Sequence, residues 1–140
     1  MEGITEMAES MVRDFVAHRM DRVADAYGFP TVVYFGPDIL IISDKQEFLS
    51  KIRAYRSAMA AKGLDHIHTV VTDLRTTEVG RCEFEVQNVY YSKGKIGLTQ
   101  AAIRYFVDMR EDAPKVRMVE YLIRPFDDEA KALNLFEIVH

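Results

Sequence analysis

The chain has 140 residues, of which 49% are hydrophobic and 29% charged, as expected for one globular domain. A net charge of −4 and scattered basic residues argue against nucleic acid or an anionic membrane as a partner. No stretch approaches the roughly 20 apolar residues of a membrane span, and early glutamates interrupt any signal-peptide core. A single cysteine excludes an internal disulfide and favours a reducing, cytoplasmic location.

The first predicted element is a helix. Apolar residues recur at spacings of three and four, which places them on one helix face: Ile4, Met7, Met11 and Phe15. We expect this helix to run from about Thr5 to Tyr27, with a break near Met20, and to end before Gly28 and Pro30.

Two short strands and a well-marked helix follow. Thr31–Phe35 and Ile39–Ile42 are short apolar runs on either side of a Gly-Pro-Asp sequence, which is typical of a tight turn. Ser43 is expected to be the N-cap of the helix, with Gln46 completing a capping box. Apolar side chains at helical spacing continue the helix until Gly63 ends it.

The second half of the chain is rich in strands. Leu64–Val79 is predicted as a long strand, Arg81–Asp108 as two long strands joined by a turn at residues 92–95, and Val116–Ile123 as the last strand. Asp127 is expected to cap a short final helix. The second hairpin strand is apolar on both faces, so we expect both of its faces to be covered.

Helices therefore cluster early in the chain and strands late, which predicts an α+β fold with an antiparallel or mixed sheet. A strongly twisted sheet of long strands can curl as a cone around the N-terminal helices. The inside of the cone would then be a pocket for a small hydrophobic or aromatic ligand. The outer sheet face would be covered by a second subunit, giving a homodimer.

Four features carry a family resemblance: the segment Asp14–His18, the pair Tyr34-Phe35, the helix sequence from Asp44 to Tyr55, and the long hairpin. In this pattern and order the chain resembles the nuclear transport factor 2-like superfamily, which includes SnoaL-like and ketosteroid isomerase-like proteins. The resemblance implies one SnoaL-like domain over residues 1–140 with a cone-shaped, cystatin-like α+β roll. Because the superfamily contains both enzymes and non-catalytic modules, both kinds of function stay open.

Two departures from the ketosteroid isomerase pattern argue against steroid isomerase chemistry. Where those enzymes carry a tyrosine on the first helix as the oxyanion donor, this sequence has Phe15, which has no hydroxyl. Where they carry an aspartate base at the end of the first strand, this sequence reads Val33-Tyr34-Phe35, with Asp38 in the following turn.

His66 and His68 are the candidate catalytic residues. At a spacing of two on a strand, their side chains point to the same face. If that face lines the cone, the imidazoles lie in an apolar pocket and are suited to proton transfer. The alternatives are solvated histidines near the mouth of the cone, or part of a metal site for which no third ligand is evident.

Gln100 and Arg104 share one face of the second hairpin strand, and Glu120 on the last strand is the natural cross-strand partner of Arg104. A guanidinium on a mostly apolar face indicates either a site for a carboxylate ligand or a structural ion pair. We predict Gln100 and Arg104 as ligand-binding residues if their face lines the pocket. If their face is the outer one, they belong to the dimer.

Aromatic residues complete the candidate ligand site: Phe15, Tyr34, Tyr55 and Tyr121. Buried tyrosines usually find a hydrogen-bond partner, so the phenols are plausible donors to a ligand. The sequence thus predicts a small-molecule-binding protein without cofactor or metal, possessing the groups for acid–base chemistry such as isomerisation or dehydration. The alternative is a non-catalytic module of the same fold that serves dimerisation or ligand binding.

Overall fold

Three helices and six strands make up the part of the chain that the computed structural model describes, residues 2–78, 80–92, 95–110 and 112–126. In chain order the elements are α1 (Glu2–Val16), α2 (Met20–Asp25), β1 (Tyr27–Phe35), β2 (Asp38–Ile42), α3 (Lys45–Ala61), β3 (His66–Glu78), β4 (Arg81–Ser92), β5 (Lys95–Asp108) and β6 (Lys115–Ile123). The predicted turn residues Lys93-Gly94 and the predicted final helix from Asp127 lie outside the described residues. Within these ranges, no helix is both long and apolar enough to cross a membrane.

The N-terminal helical region consists of two helices. At the end of α1, His18 takes a left-handed conformation with φ of 62°. The Arg19 amide N–H donates back to the Asp14 carbonyl at 2.8 Å. The interruption therefore falls at residues 17–19, just before the position predicted near Met20, which is the first residue of α2.

β1 begins at Tyr27, earlier than the predicted start at Thr31. Pro30 lies inside this strand, although a proline cannot donate a hydrogen bond to a strand ladder. The strand tolerates it because β1 shifts register against β6 between Tyr27 and Val32, and pairs with β2 only from Thr31 onward. The predicted boundary was wrong because Gly28 and Pro30 were interpreted as the end of a helix.

α3 confirms the predicted helix and corrects its N-cap. Asp44, in an extended conformation with φ of −152°, accepts a hydrogen bond from the Glu47 amide at 2.9 Å. The prediction of Ser43 as the capping residue was therefore wrong by one position. At the other end, Gly63 takes a φ of 96° and its amide donates to the Ala60 carbonyl, as expected for a helix that ends at a glycine.

The six strands form one mixed sheet in the order β2-β1-β6-β5-β4-β3. All neighbouring strands are antiparallel except β1 and β6, which run parallel. α1 contacts β3, α2 contacts β1 and α3 contacts β2, so the helices lie against the sheet along its width. The predicted α+β fold, a curved mixed sheet wrapped around N-terminal helices, is confirmed.

Side chains alternate along the strands between a covered inner face, toward the helices, and a more open outer face. On β4, Phe84 and Val86 are 1% and 2% exposed, whereas Glu83, Glu85 and Gln87 lie at the alternate, more exposed positions. Phe84 stacks on Tyr105 of β5 with ring centroids 5.1 Å apart. Among the described residues, the large hydrophobic side chains that stay exposed all lie on strands: Tyr34, Ile39, Ile41, Val70, Leu122 and Ile123.

Candidate functional site

A cavity of about 100 Å³ lies between the helices and the inner face of the sheet. Each of the nine described elements contributes at least one side chain to its wall. Most of these side chains are aliphatic or phenylalanine. The polar ones among the described lining residues are Tyr27, Lys51, Tyr55, Asn88, Tyr90, Tyr105 and Tyr121.

α3 supplies one continuous strip of this wall. Phe48, Lys51, Ile52 and Tyr55 line the cavity, and their spacing of three and four places them on one helix face. Phe48 packs against the ring of Tyr27 at 4.5 Å between centroids. The strip therefore has an aromatic end at Phe48 and a phenolic end at Tyr55, with Lys51 between them.

The phenols of Tyr55 and Tyr121 both line the cavity, and each acts on the pKa of the other. Burial is the largest cause that raises the pKa of both phenols well above the usual value, and it acts in the same way on Tyr27. Burial also raises the pKa of Tyr90 to about 12. At neutral pH the phenols are therefore neutral, and an O–H group that is not already donating can serve a ligand acceptor.

Asn88 is the buried amide of the wall, at 4% exposure. Its Nδ2 donates to the Tyr90 phenol oxygen at 3.5 Å. Its Oδ1 is buried and has no hydrogen-bond partner among the described residues. An unsatisfied buried carbonyl costs about 1–3 kcal/mol, so this atom favours a hydrogen-bond donor, from a ligand or a water, inside the cavity.

Three of the aromatic residues predicted as ligand contacts lie together in this wall: Phe15, Tyr55 and Tyr121. The ring centroids of Phe15 and Tyr55 are 6.1 Å apart. Tyr34 lies elsewhere, because β1 places Phe35 on the inner face opposite Tyr121 and turns Tyr34 to the outer face at 37% exposure.

Gln100 and Arg104 also lie outside the cavity wall. Arg104 forms an ion pair with Glu85 of β4, with 3.1 Å between Nη2 and Oε1. Glu120, its predicted partner, is indeed directly opposite Arg104 in the β5–β6 register. The alternate residues of β5 face the cavity: Ile103 and Tyr105 line it, so the face that carries Gln100 and Arg104 is the outer one.

His66 and His68 are both exposed, and Ile67 between them lines the cavity. The expectation that the histidine face lines the pocket is therefore corrected, because strand alternation turns both imidazoles to the outer face. The His66 ring instead lies 5.8 Å from the ring of Tyr91. Their catalytic role stays a prediction. No group of three or more His, Cys, Asp or Glu within the described ranges is placed to hold a metal ion.

Sequence reasoning missed Lys51 and Asn88 as wall residues. The signal for Lys51 is its position three residues after Phe48 and four before Tyr55, inside the apolar stripe of α3. The signal for Asn88 is its place in the alternation of β4, where it shares the face of Val86 and Tyr90. In both cases a polar residue occupies a position that the pattern assigns to the buried face.

Solved structures with the same arrangement of elements identify the fold. An NTF2-like protein with a cystatin-like fold from Novosphingobium aromaticivorans superposes with a TM-score of 0.68 over 96% of this chain and 86% of its own, at 14% sequence identity. The fold is the NTF2-like fold. A cystatin-like domain from Nostoc punctiforme gives a TM-score of 0.70 over 98% of this chain and 85% of its own, at 12% identity.

The NTF2-like fold also occurs in the β subunit of benzoate 1,2-dioxygenase from Burkholderia mallei. That structure gives a TM-score of 0.61 at 13% identity and covers 88% of this chain and 89% of its own. No protein-family model matches the sequence, and no curated protein matches it. Because the structural likenesses are at low identity, they establish the fold, and the function must be argued from the cavity.

Proposed function

We propose that the protein binds a small organic molecule of about one ring in the cavity between its helices and its sheet. The observation that carries this proposal is a mainly apolar wall with several neutral phenols and one orphaned amide oxygen around about 100 Å³. An engineered apolar cavity of about 150 Å³ in another protein binds benzene, so a volume of this order suits a monocyclic ligand. A steroid skeleton of four fused rings is far larger.

The composition of the wall favours binding over acid–base catalysis by the histidines. Among the described lining residues there is no Asp, Glu or His. The phenols are held neutral at physiological pH, so they suit hydrogen-bond donation to a ligand oxygen. We assign ring contact with the ligand to Phe15, and hydrogen bonding to Tyr121 and Tyr55.

Thermal unfolding in the presence of small ligands tests the proposal. A compound that binds only the folded state raises the midpoint temperature, and the shift grows with the logarithm of its concentration above the dissociation constant. We expect monocyclic compounds with one polar group, such as 4-methylphenol and 2-phenylethanol, to raise the midpoint, and a steroid such as testosterone to leave it unchanged. A panel of monocyclic compounds at millimolar concentration that produces no shift would overturn the proposal.

We further propose that the outer sheet face pairs with a second copy of the chain. On this face of β2, β1 and β6, Ile39 and Ile41 are 61% and 64% exposed, and Tyr34 and Leu122 are also exposed. Adjacent exposed apolar side chains mark an interaction surface. A second copy presents the same patch, so a two-fold axis would bury both patches at once.

Sedimentation velocity tests this pairing. The wild-type chain is expected to sediment as a dimer at micromolar concentration, and the double substitution Ile39→Lys/Ile41→Lys to sediment as a monomer with unchanged secondary structure. The matched control is Thr72→Lys, an exposed position on the opposite edge strand β3. A wild-type monomer at high concentration would refute the pairing.

Cys82 supports the proposed cytoplasmic location. The thiol lies on the inner face of β4 at 3% exposure. Burial, together with the nearby Glu83 carboxylate, raises its pKa, so the sulfur is a protonated, weakly reactive apolar group. A chain with one such cysteine has no requirement for an oxidising compartment.

A further inference from the structure

Asn88 and Tyr90 form a polar pair on the sheet side of the cavity. They lie two residues apart on β4, so their side chains share its inner face. The Asn88 Nδ2 donates to the Tyr90 phenol oxygen at 3.5 Å. This bond uses an amide N–H of Asn88 and a lone pair of the phenol. It leaves one acceptor, the Asn88 Oδ1, and one donor, the Tyr90 O–H, side by side in the wall.

The acceptor of this pair is unsatisfied. The Asn88 Oδ1 is buried and has no hydrogen-bond partner among the described residues. Thr69 of β3 lies directly opposite Asn88 in the strand register, and its buried Oγ1 likewise has no partner within the described ranges. Side chains opposite each other on neighbouring strands share a face. The mainly apolar inner face therefore carries one polar region that still needs a hydrogen-bond donor.

The donor of the pair is available at neutral pH. Burial raises the pKa of Tyr90 to about 12, so its phenol keeps the proton. Burial, and next the electrostatic effect of neighbouring phenols that include Tyr90, also raises the pKa of Tyr55 and Tyr121. Tyr90 is therefore near the two phenols that we assign to ligand hydrogen bonding, and the Asn88–Tyr90 pair belongs to the same polar region.

A hydroxyl group complements this pair, because it donates one hydrogen bond and accepts others. An ether or ketone oxygen only accepts, so it leaves the Asn88 Oδ1 unsatisfied. A protonated amine donates but brings a charge into the cavity, where no carboxylate occurs among the described lining residues. The neutral hydroxyl is thus the group that satisfies both members of the pair without a charge.

We infer that Asn88 and Tyr90 determine ligand specificity by binding one hydroxyl group of a neutral monocyclic alcohol or phenol. The ligand hydroxyl donates to the Asn88 Oδ1 and accepts from the Tyr90 O–H, and the ring lies against the apolar part of the wall. This inference rests on the proposed function and adds the chemical class of the ligand and the residues that select it. Without Asn88, the phenols of the wall would serve any ligand acceptor, whether or not it also donates.

The test compares 1-phenylethanol with acetophenone, which share a carbon skeleton and differ in whether the oxygen carries a hydrogen. Dissociation constants are measured by calorimetry at pH 7 for the wild-type chain and for Asn88→Leu, which keeps the approximate shape of the side chain but removes the amide. Gln87→Met is the matched control, because Gln87 is the neighbouring amide of β4 and is exposed on the outer face. Circular dichroism verifies that each variant is folded.

We expect the wild-type chain and Gln87→Met to bind 1-phenylethanol at least tenfold more tightly than acetophenone. In Asn88→Leu the preference should fall below threefold, with acetophenone bound at least as tightly as by the wild-type chain. A preference for the alcohol that survives in folded Asn88→Leu would overturn the assignment, since another group would then accept the ligand hydrogen.

The wild-type comparison is decisive even if Asn88→Leu does not fold. If the wild-type chain binds acetophenone as tightly as 1-phenylethanol, the inference is overturned while the proposed function stands. A buried water held by Asn88 and Thr69 would give this result, because it would already satisfy the Oδ1. If neither compound nor the monocyclic panel binds, the inference and the proposed function are both overturned.

Discussion

A larger side chain placed in the cavity tests separately how the cavity affects stability and how it affects ligand binding. Val119 is 3% exposed, lies opposite Tyr105 in the sheet and lines the cavity. Buried voids cost about 24 cal/mol per Å³, so a cavity of about 100 Å³ costs the empty protein at most about 2.4 kcal/mol. The substitution Val119→Phe places a ring in this space.

The expected change in stability is the difference between two opposing effects. Filling the void can recover up to about 2.4 kcal/mol, whereas imperfect fit costs about 1–3 kcal/mol in strain. We therefore expect Val119→Phe to change the free energy of unfolding by less than about 2 kcal/mol in either direction, measured by urea denaturation. Ligand affinity should fall at least 100-fold, because the ring occupies the site.

Val70→Phe is the matched control, since Val70 is also a strand valine but is 45% exposed. It should leave both stability and affinity close to those of the wild-type chain. Wild-type affinity in folded Val119→Phe would show that the ligand binds elsewhere. A loss of more than about 4 kcal/mol in Val119→Phe would show that the cavity cannot take a ring, which contradicts the volume argument.

Three further predictions follow from individual contacts. Asp44→Ala should lower the free energy of unfolding by about 1 kcal/mol through loss of the N-cap, whereas Ser43→Ala should change it by less than about 0.5 kcal/mol in urea denaturation. Folding raises the pKa of Tyr90 from 10.0 to about 12, so the Tyr90 phenol ionises at lower pH in the unfolded chain than in the folded one. The stability that the neutral Tyr90 phenol contributes should therefore be lost as the pH rises from 10 to 12. Circular dichroism against pH measures this loss, which Tyr90→Phe should reduce, and an unchanged pH profile would contradict it. Arg56→Met should lower the free energy of unfolding by about 2 kcal/mol in urea denaturation, because the buried Arg56 guanidinium donates to two carbonyl oxygens at the end of α1. An unchanged free energy would show that the cost of burying the guanidinium offsets these hydrogen bonds.

Within the described residues, the sequence predicted α3, the long strands of the second half and the class of fold because their signals are local. The stripe on α3, the glycine at its end and the alternation on β4 each act within a few residues. The pairing of β1 with β6 was not predictable, since it depends on the closure of the sheet. The boundary of β1 was also missed, because Pro30 is compatible with a strand only where the neighbouring strand does not require its amide.

The candidate site was predicted in part for the same reason. Phe15 and Tyr55 lie in the wall, on the buried helix faces that periodicity assigns directly, and their contact with a ligand stays a prediction. On strands, the pattern gives two faces but does not say which one is inside, and a slip of one residue exchanges them. His66 and His68 were therefore expected on the pocket face, and strand pairing put Ile67 there instead.

The parallel pairing of β1 with β6 has a consequence for how the protein folds. Phe35 pairs with Tyr121, so these partners are separated by most of the chain. Contacts between residues so distant in sequence form late, because closing a long loop costs entropy before the contact contributes energy. During synthesis, β1 and β2 can form only a two-stranded ribbon, which is marginally stable by itself. The cavity, whose wall needs Val119 and Tyr121, is therefore completed only after β6 has left the ribosome, and ligand can assist folding only in that last step.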